Sequence, residues 1–286
     1  MSVHEANDQQ TARHVADALI RHAGSREAFV QIVTQLIRQA IDEVIDTPRT
    51  NRFTLDEIEK TEKTYIGTKI EILFRNHMSL PKGAILDVCI DGIETDIKYT
   101  IGSNWTIPQE AMSHPCILIR ANEKKGICST GIVVIRLERL NEGQNRDGKR
   151  TISKSGFDDI LWLLKDTPYP MSFWEMLPPD HRLAIMAPKG GTERLANLFR
   201  LVQRVPISRR IIESIAQQDD YMKRLRKNGG ARDILSKEGI AVLWGQKDKD
   251  LIDRLGLPLC NPDEFISVQP EDESEIDWLR QAQHIN

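Results

Sequence analysis

Asp87, Asp96 and Lys98 are the residues whose types and spacing most clearly suggest chemistry. They lie in two β-type runs, Ile85–Ile90 and Ile93–Thr100, which flank Asp91-Gly92, a strong two-residue hairpin signal. Such a turn pairs Ile90 with Ile93 and Cys89 with Glu94, so Asp87 stands opposite Asp96 on one face. Lys98 follows two residues further along that face. Opposed carboxylates repel unless a cation sits between them. A divalent metal supplies that charge, and hard oxygen ligands favour magnesium. In this reading the carboxylates hold a metal that activates water and neutralises charge developing on a phosphodiester, while the lysine orients or deprotonates the water. The pattern acid-x-Lys occurs as Asp96-Ile-Lys98, Glu123-Lys-Lys125 and Asp147-Gly-Lys149. Only the first follows an opposed acid on a hairpin and has an apolar middle residue. The competing reading is a solvated strand face.

The elements that must position these groups read as an α/β domain over residues 1–164. Apolar residues recur at helical spacing through 9–46, with Gly24-Ser25 as the break between two helices. Pro48 to Asn51 reads as a turn, and Thr54-Leu-Asp-Glu57 as a capping box that opens a third helix reaching about His77. Glu71 lies on that helix beside Ile66 and Ile70, as a further acid or simply an exposed glutamate. Pro115–Arg120 and Ile127–Leu140 are β-rich, so a mixed sheet flanked by helices is expected. Residues 165–180 are proline-rich and aperiodic, the composition of a linker. Residues 181–286 then form a second, mostly helical domain. Helical runs at Thr192–Val202, Ser208–Lys227 (whole or broken near Gln217–Asp220) and Ala231–Lys237 precede a strand at Ile240–Trp244, the outline of a winged helix-turn-helix or of a plain helical bundle.

The 286 residues carry a formal charge of −3 that hides an asymmetry. Lys189–Arg232 holds eleven Lys/Arg against four Asp/Glu, a net of +7, and the chain from Asp248 onward holds three against ten, a net of −7. The basic segment suits an anionic partner or, equally, a solvated helix face. No apolar run reaches membrane-span length, and the first residues, rich in acids and amides, lack a secretion signal. Cys89, Cys116, Cys128 and Cys260 show no metal-ligand spacing and read as reduced thiols, so a cytoplasmic protein is expected. No P-loop is present.

Lys60-Thr-Glu-Lys-Thr-Tyr-Ile-Gly-Thr68 leading to Ile70-Glu71, then Asp87 and Asp96-Ile-Lys98, resembles the NaeI family of type II restriction endonucleases. Gly67 with Glu71 also resembles the MutH nicking nuclease, a more distant relative with the same core. Ala216-Gln-Gln-Asp-Asp-Tyr-Met-Lys-Arg224, Gly229-Gly-Ala-Arg232, Ile234-Leu and Glu238-Gly-Ile240 look like the NaeI effector domain, and Asn145-Arg-Asp147 and Lys149-Arg150 recur between the two. The likeness runs from about residue 45 to 258. It implies a restriction-endonuclease-like fold and a homodimer using Mg2+ to cut double-stranded DNA at a GC-rich palindrome. It further implies a C-terminal helix-turn-helix of the catabolite-activator kind that binds a second copy of the site and stimulates cleavage. Glu71, Asp87 and Asp96 would be the metal-site acids and Lys98 the catalytic lysine. A cognate DNA methyltransferase would be a genetic partner.

Expected DNA contacts are Ser103, Asn104 and Trp105 after the catalytic strand, with Trp105 alternatively packed under its own domain. Arg146, Lys149 and Arg150 are expected at phosphates. A second-site surface would comprise Arg209, Arg210, Lys223, Arg224, Arg226, Lys227 and Arg232. A MutH-like nickase and a non-catalytic winged-helix regulator are the competing functions.

Overall fold

The computed structural model describes residues 3–218 and 220–286, with side chains at 3, 4 and 48 left aside. Asp219, in the effector-like run quoted above, lies outside the described residues, as do Met1 and Ser2 of the N-terminal run. The chain divides into two compact units, residues 1–45 with 54–172, and residues 46–53 with 173–286.

In the first unit α1 (Val3–Ala23) and α2 (Arg26–Ile45) are separated at Gly24, whose φ of 91° ends the first helix. Residues 46–53, which hold the single turn α3 (Thr47–Thr50), go to the second unit. The expected helix start at Thr54 is corrected. The Thr54/Glu57 capping box closes only one 3-10 turn, and a second box, Glu59/Glu62, starts α4 (Lys60–His77). The hairpin strands are β1 (Val88–Ile90) and β2 (Ile93–Thr100), followed by β3 (Thr106–Ile107), β4 (Pro115–Asn122), β5 (Ile127–Val134), β6 (Leu140–Gln144) and β7 (Arg150–Ile152). Then come α5 (Lys154–Asp158) and β8 (Leu161–Pro168).

The main sheet has the order β1-β2-β4-β5-β8, with only β2 and β4 parallel. Its central strand β4 is apolar on both sides, as a strand covered on both faces must be. Ile117 and Ile119 join the helix-side core with Leu19, Phe29, Ile66, Ile70 and Phe74. Cys116 and Leu118 join Trp105, Ile107, Val133 and Ile152 on the other side, beneath the small sheet β3-β7-β6. The stretch expected as one β run over 127–140 is two strands. The chain turns after Val134, where buried Arg139 pairs with Asp8 and Asp159, each at 2.7 Å. The expected linker is also corrected: β8 occupies it as far as Pro168 and forms the sheet edge, where proline costs no ladder bond.

The second unit contains α6 (Phe173–Met176), α7 (Pro179–Met186), α8 (Gly191–Leu201), β9 (Ile207–Ser208), α9 (Arg209–Ala216), α10 (Tyr221–Leu225) and α11 (Ala231–Lys237). It continues with β10 (Ala241–Trp244), α12 (Lys249–Arg254), β11 (Glu264–Val268) and α13 (Glu273–Gln281). Leu195, Phe199, Ile212, Leu225, Leu235 and Phe265 share one core with Trp174 and Phe53, whose rings meet edge to face at 4.9 Å. The three strands form an antiparallel sheet ordered β10-β11-β9. The acidic end is therefore no appendage: β11 is the middle strand, and Ile252, Ile266 and Leu279 build a second apolar cluster. Among the described residues no helix is long and apolar enough to cross a membrane.

Candidate active site

The hairpin register places the chemistry. Val88 pairs with Thr95, Cys89 with Glu94 and Ile90 with Ile93, as the turn chemistry demands. Asp91 and Gly92 both have positive φ, 48° and 83°, the requirement of a type I′ turn. Arg21 of α1 holds Asp91 at 2.6 Å, and His14 lies 3.4 Å from the same carboxylate. Continued by one pair, the register sets Asp87 against Asp96, and the side chains meet as expected. Lys98 Nζ lies 2.8 Å from Asp96 Oδ1 and 3.5 Å from Asp87 Oδ2, bridging the two carboxylates.

Each group is further tied. Asp87 Oδ2 accepts from Ile97 N at 2.8 Å, and Lys98 Nζ also donates to Ile97 O at 2.9 Å. Asp96 is 3% exposed, and its Oδ2 faces the Cys116 thiol at 3.6 Å. Glu71 is half-buried on α4, in the turn whose Ile70, Leu73 and Phe74 anchor the helix. The expected strand at Ile85 begins only at Val88, because the amides of residues 84–86 bind the Glu94 carboxylate instead of a strand.

Three carboxylates around one ammonium leave the site short of positive charge. Burial, reinforced by the Asp87 and Asp96 charges, pushes Glu71 up to about 7. Burial lifts Asp96 to about 6 against the pull of Lys98, with Asp87 adding to the rise. Lys98 is disfavoured by burial, but Asp96 and Asp87 outweigh this and raise its pKa. Carboxylates reluctant to ionise beside one another are a set that a hard divalent cation relieves. Among the described residues no three His, Cys, Asp or Glu side chains already converge as a metal would need; the Lys98 ammonium lies between the two aspartates. Magnesium takes one or two carboxylates and keeps several waters, so the oxygen-only set of Glu71, Asp87 and Asp96 fits it.

The other expected contacts divide. Trp105 is corrected from a DNA contact to a core residue: it is 1% exposed, and its indole donates to Ile119 O at 2.8 Å. The Asn104 side chain accepts from Trp105 N and Ile152 N and donates to Ile152 O, pinning β7. Ser103 remains exposed and lines a 370 Å³ cavity with Arg120, Asn122, Lys125 and Ser129. Arg120, which pairs with Asp166 at 3.3 Å, was not expected from the sequence; it stands opposite Thr100, on the face of Lys98, through a parallel register that residue types do not fix. Arg146 and Lys149 are exposed beside Arg150 on the β6–β7 hairpin.

In the second unit Arg210, Lys223, Arg224, Arg226 and Lys227 are exposed, with Lys223 paired to Asp220, Arg224 bonded to Gln218 and Lys227 to Gln283 O. Arg209 and Arg232 are corrected: they pack on rings. Arg209 lies over Trp244 at 5.2 Å and Arg232 over Phe265 at 5.7 Å, while those two rings stack at 5.7 Å. Nε of both arginines is buried without a hydrogen-bond partner. The four cysteines are free, three of them buried.

The family model for restriction endonuclease NaeI matches residues 15–275, beyond both ends of the likeness read from the sequence. The curated type II restriction enzyme NaeI of Lentzea aerocolonigenes is 33% identical over 252 residues, covering 84% of this chain and 79% of the relative. The chain that sets Lys98 between two aspartates on a hairpin thus belongs to the NaeI family of restriction endonucleases and is a type II site-specific deoxyribonuclease.

Proposed function

We propose that this enzyme hydrolyses double-stranded DNA with Mg2+ held by Glu71, Asp87 and Asp96 and with Lys98 as the catalytic lysine. In this reading it works in the cytoplasm as a homodimer on a palindromic, GC-rich site, protected in its host by a cognate methyltransferase. The observation that carries it is the Lys98 ammonium, 2.8 Å from Asp96 and 3.5 Å from Asp87, on a hairpin flanked by a half-buried Glu71.

When bound, magnesium supplies a more acidic water and offsets charge on the scissile phosphate. The chain does the rest. Asp96 and Asp87 keep Lys98 protonated, so it acts as a fixed cation and N–H donor toward the attacking water and the phosphate oxygens. Without metal, Glu71 and Asp96 give up their protons only near pH 7 and pH 6, so the metal-free site reaches full negative charge only above neutrality. Ile97 N holds Asp87 in place. Two such sites related by a dyad suit a palindrome.

The second unit is proposed as a winged helix-turn-helix that binds the effector copy of the site. Support comes from the order α8, β9, α9, α10, α11, β10, α12, β11 and the β10-β11-β9 sheet. Arg210, Lys223, Arg224, Arg226 and Lys227 form its phosphate-contacting surface, and Ser103, Arg146, Lys149 and Arg150 serve the cleaved site.

The test is cleavage of a large unmethylated DNA in Mg2+ beside Asp96→Ala and Lys98→Ala, with fragment ends sequenced and cognate oligonucleotide added. Discrete fragments sharing a palindrome, stimulated by oligonucleotide and lost in both variants, are expected. Nicks in one strand only favour the MutH-like reading, and DNA binding without cleavage the regulator.

A further inference from the structure

Asp87 precedes the first ladder pair of its hairpin, so the strand alone does not place it. The chain just before it is held in another way. Glu94, which faces Cys89 and shares a strand face with Asp96 and Lys98, turns its carboxylate back onto three successive amides. Oε1 accepts from Ala84 N at 2.7 Å, and Oε2 from Ile85 N at 3.1 Å and Leu86 N at 2.8 Å. Cys89 N adds a bond to Pro81 O at 3.0 Å, closing the loop from the far side. The turn is tight enough that a Cβ on Gly83 would stand 2.5 Å from both Glu94 Oε2 and Leu86 O. Glu94 is thereby committed to backbone donors and is not a fourth metal ligand.

We infer that Glu94 is a positioning residue for Asp87: by gathering the amides of residues 84–86 it sets the chain position from which the Asp87 carboxylate meets Asp96 and Lys98. This rests on the proposed place of Asp87 in the metal site. Three charge-assisted bonds to consecutive amides define that segment where the strand ladder does not reach it. A glutamine at 94 keeps the size but turns an NH2 toward an N–H, so the clamp loses one side.

The experiment compares the full-length protein with Glu94→Gln, Gly83→Ala and Asp87→Ala. Mn2+ affinity is read from the free-ion paramagnetic signal, cleavage as a function of Mg2+, metal-free binding of the cleaved duplex by anisotropy, and folding by calorimetry. Glu94→Gln is expected to weaken Mn2+ binding and to slow cleavage by roughly 10–100-fold, with metal-free DNA affinity and the folding midpoint unchanged. Gly83→Ala, which crowds the clamp from its other side, is expected to show the same signature. Wild-type Mn2+ affinity and rate in Glu94→Gln, beside an inactive Asp87→Ala, overturns the inference alone. Wild-type cleavage by Asp87→Ala overturns the metal-site reading beneath it. Loss of folding in both Glu94→Gln and Gly83→Ala overturns the inference in favour of a purely structural role.

Discussion

Around Lys98 one cation meets the carboxylates of Asp87 and Asp96 with Glu71 nearby, whereas around Trp244 and Phe265 two arginines lie on aromatic rings. Both places hold charge in partly buried surroundings, but they resolve it differently. At the hairpin the surplus is negative, with Asp87 held by Ile97 N, and burial together with that surplus raises the carboxyl pKa values of Glu71 and Asp96. In the second unit the charge is spread over π faces, and Arg232 is held by dispersion and ring quadrupole more than by a counter-ion. An unmatched charge on a strand invites a ligand; a cation on a ring fills a core.

The largest test of that contrast is at the hairpin. Asp96→Ala is expected to lower the cleavage rate by at least ~10^3-fold, and Lys98→Met by ~10^2–10^3-fold, in single-turnover assays on cognate DNA. A fully active Lys98→Met would make Lys98 a packing cation like Arg232. Next comes Arg232. Arg232→Met should leave the folding midpoint unchanged or raised and effector-DNA binding intact, while Arg232→Glu, beside the rings and Asp248, should destabilise by about 3 kcal/mol in denaturant titrations. Third, each of Arg210, Arg226 and Lys227 changed to Ala should reduce the salt slope of effector-DNA binding by about 1, measured by anisotropy.

The smallest effect concerns Glu71. Its pKa rises from 4.5 to about 7 on folding, so the unfolded chain loses that proton first. Stability of the metal-free protein therefore falls as pH rises between those values and levels above them. Glu71→Gln, neutral throughout, should raise the melting temperature by a few degrees at about pH 8, less at about pH 5, and not at all below about pH 4, as calorimetry can show.

The hairpin was legible because Asp91-Gly92 admits one register, and a register sets every cross-strand neighbour. The helices around Gly24 were legible from apolar spacing. What the sequence hid was competition between equivalent local signals. Two capping boxes lie five residues apart, and only the second, at Glu59, leads into a helix that buries Ile66 and Ile70. Pro168 looked like a linker because proline is excluded from inner strands, yet β8 is an edge. The basic residues were legible as a group, but periodicity could not separate exposed Arg210 from Arg209 on its ring. Glu94 was hidden for a different reason: its partners are backbone amides, which leave no mark in residue types.

Residues 46–53 belong to the second unit although the chain on both sides of them belongs to the first. The backbone therefore passes between the units three times, after Ile45, after Phe53 and after Ser172. Gene dissection meets this directly. A fragment ending at residue 172 would retain Phe53 stripped of its Trp174 neighbour, and one beginning at 173 would have a hole where that ring belongs. Neither half can be exchanged as a cassette by a single crossover, so swapping the second unit between relatives requires grafting the eight-residue excursion together with the C-terminal segment.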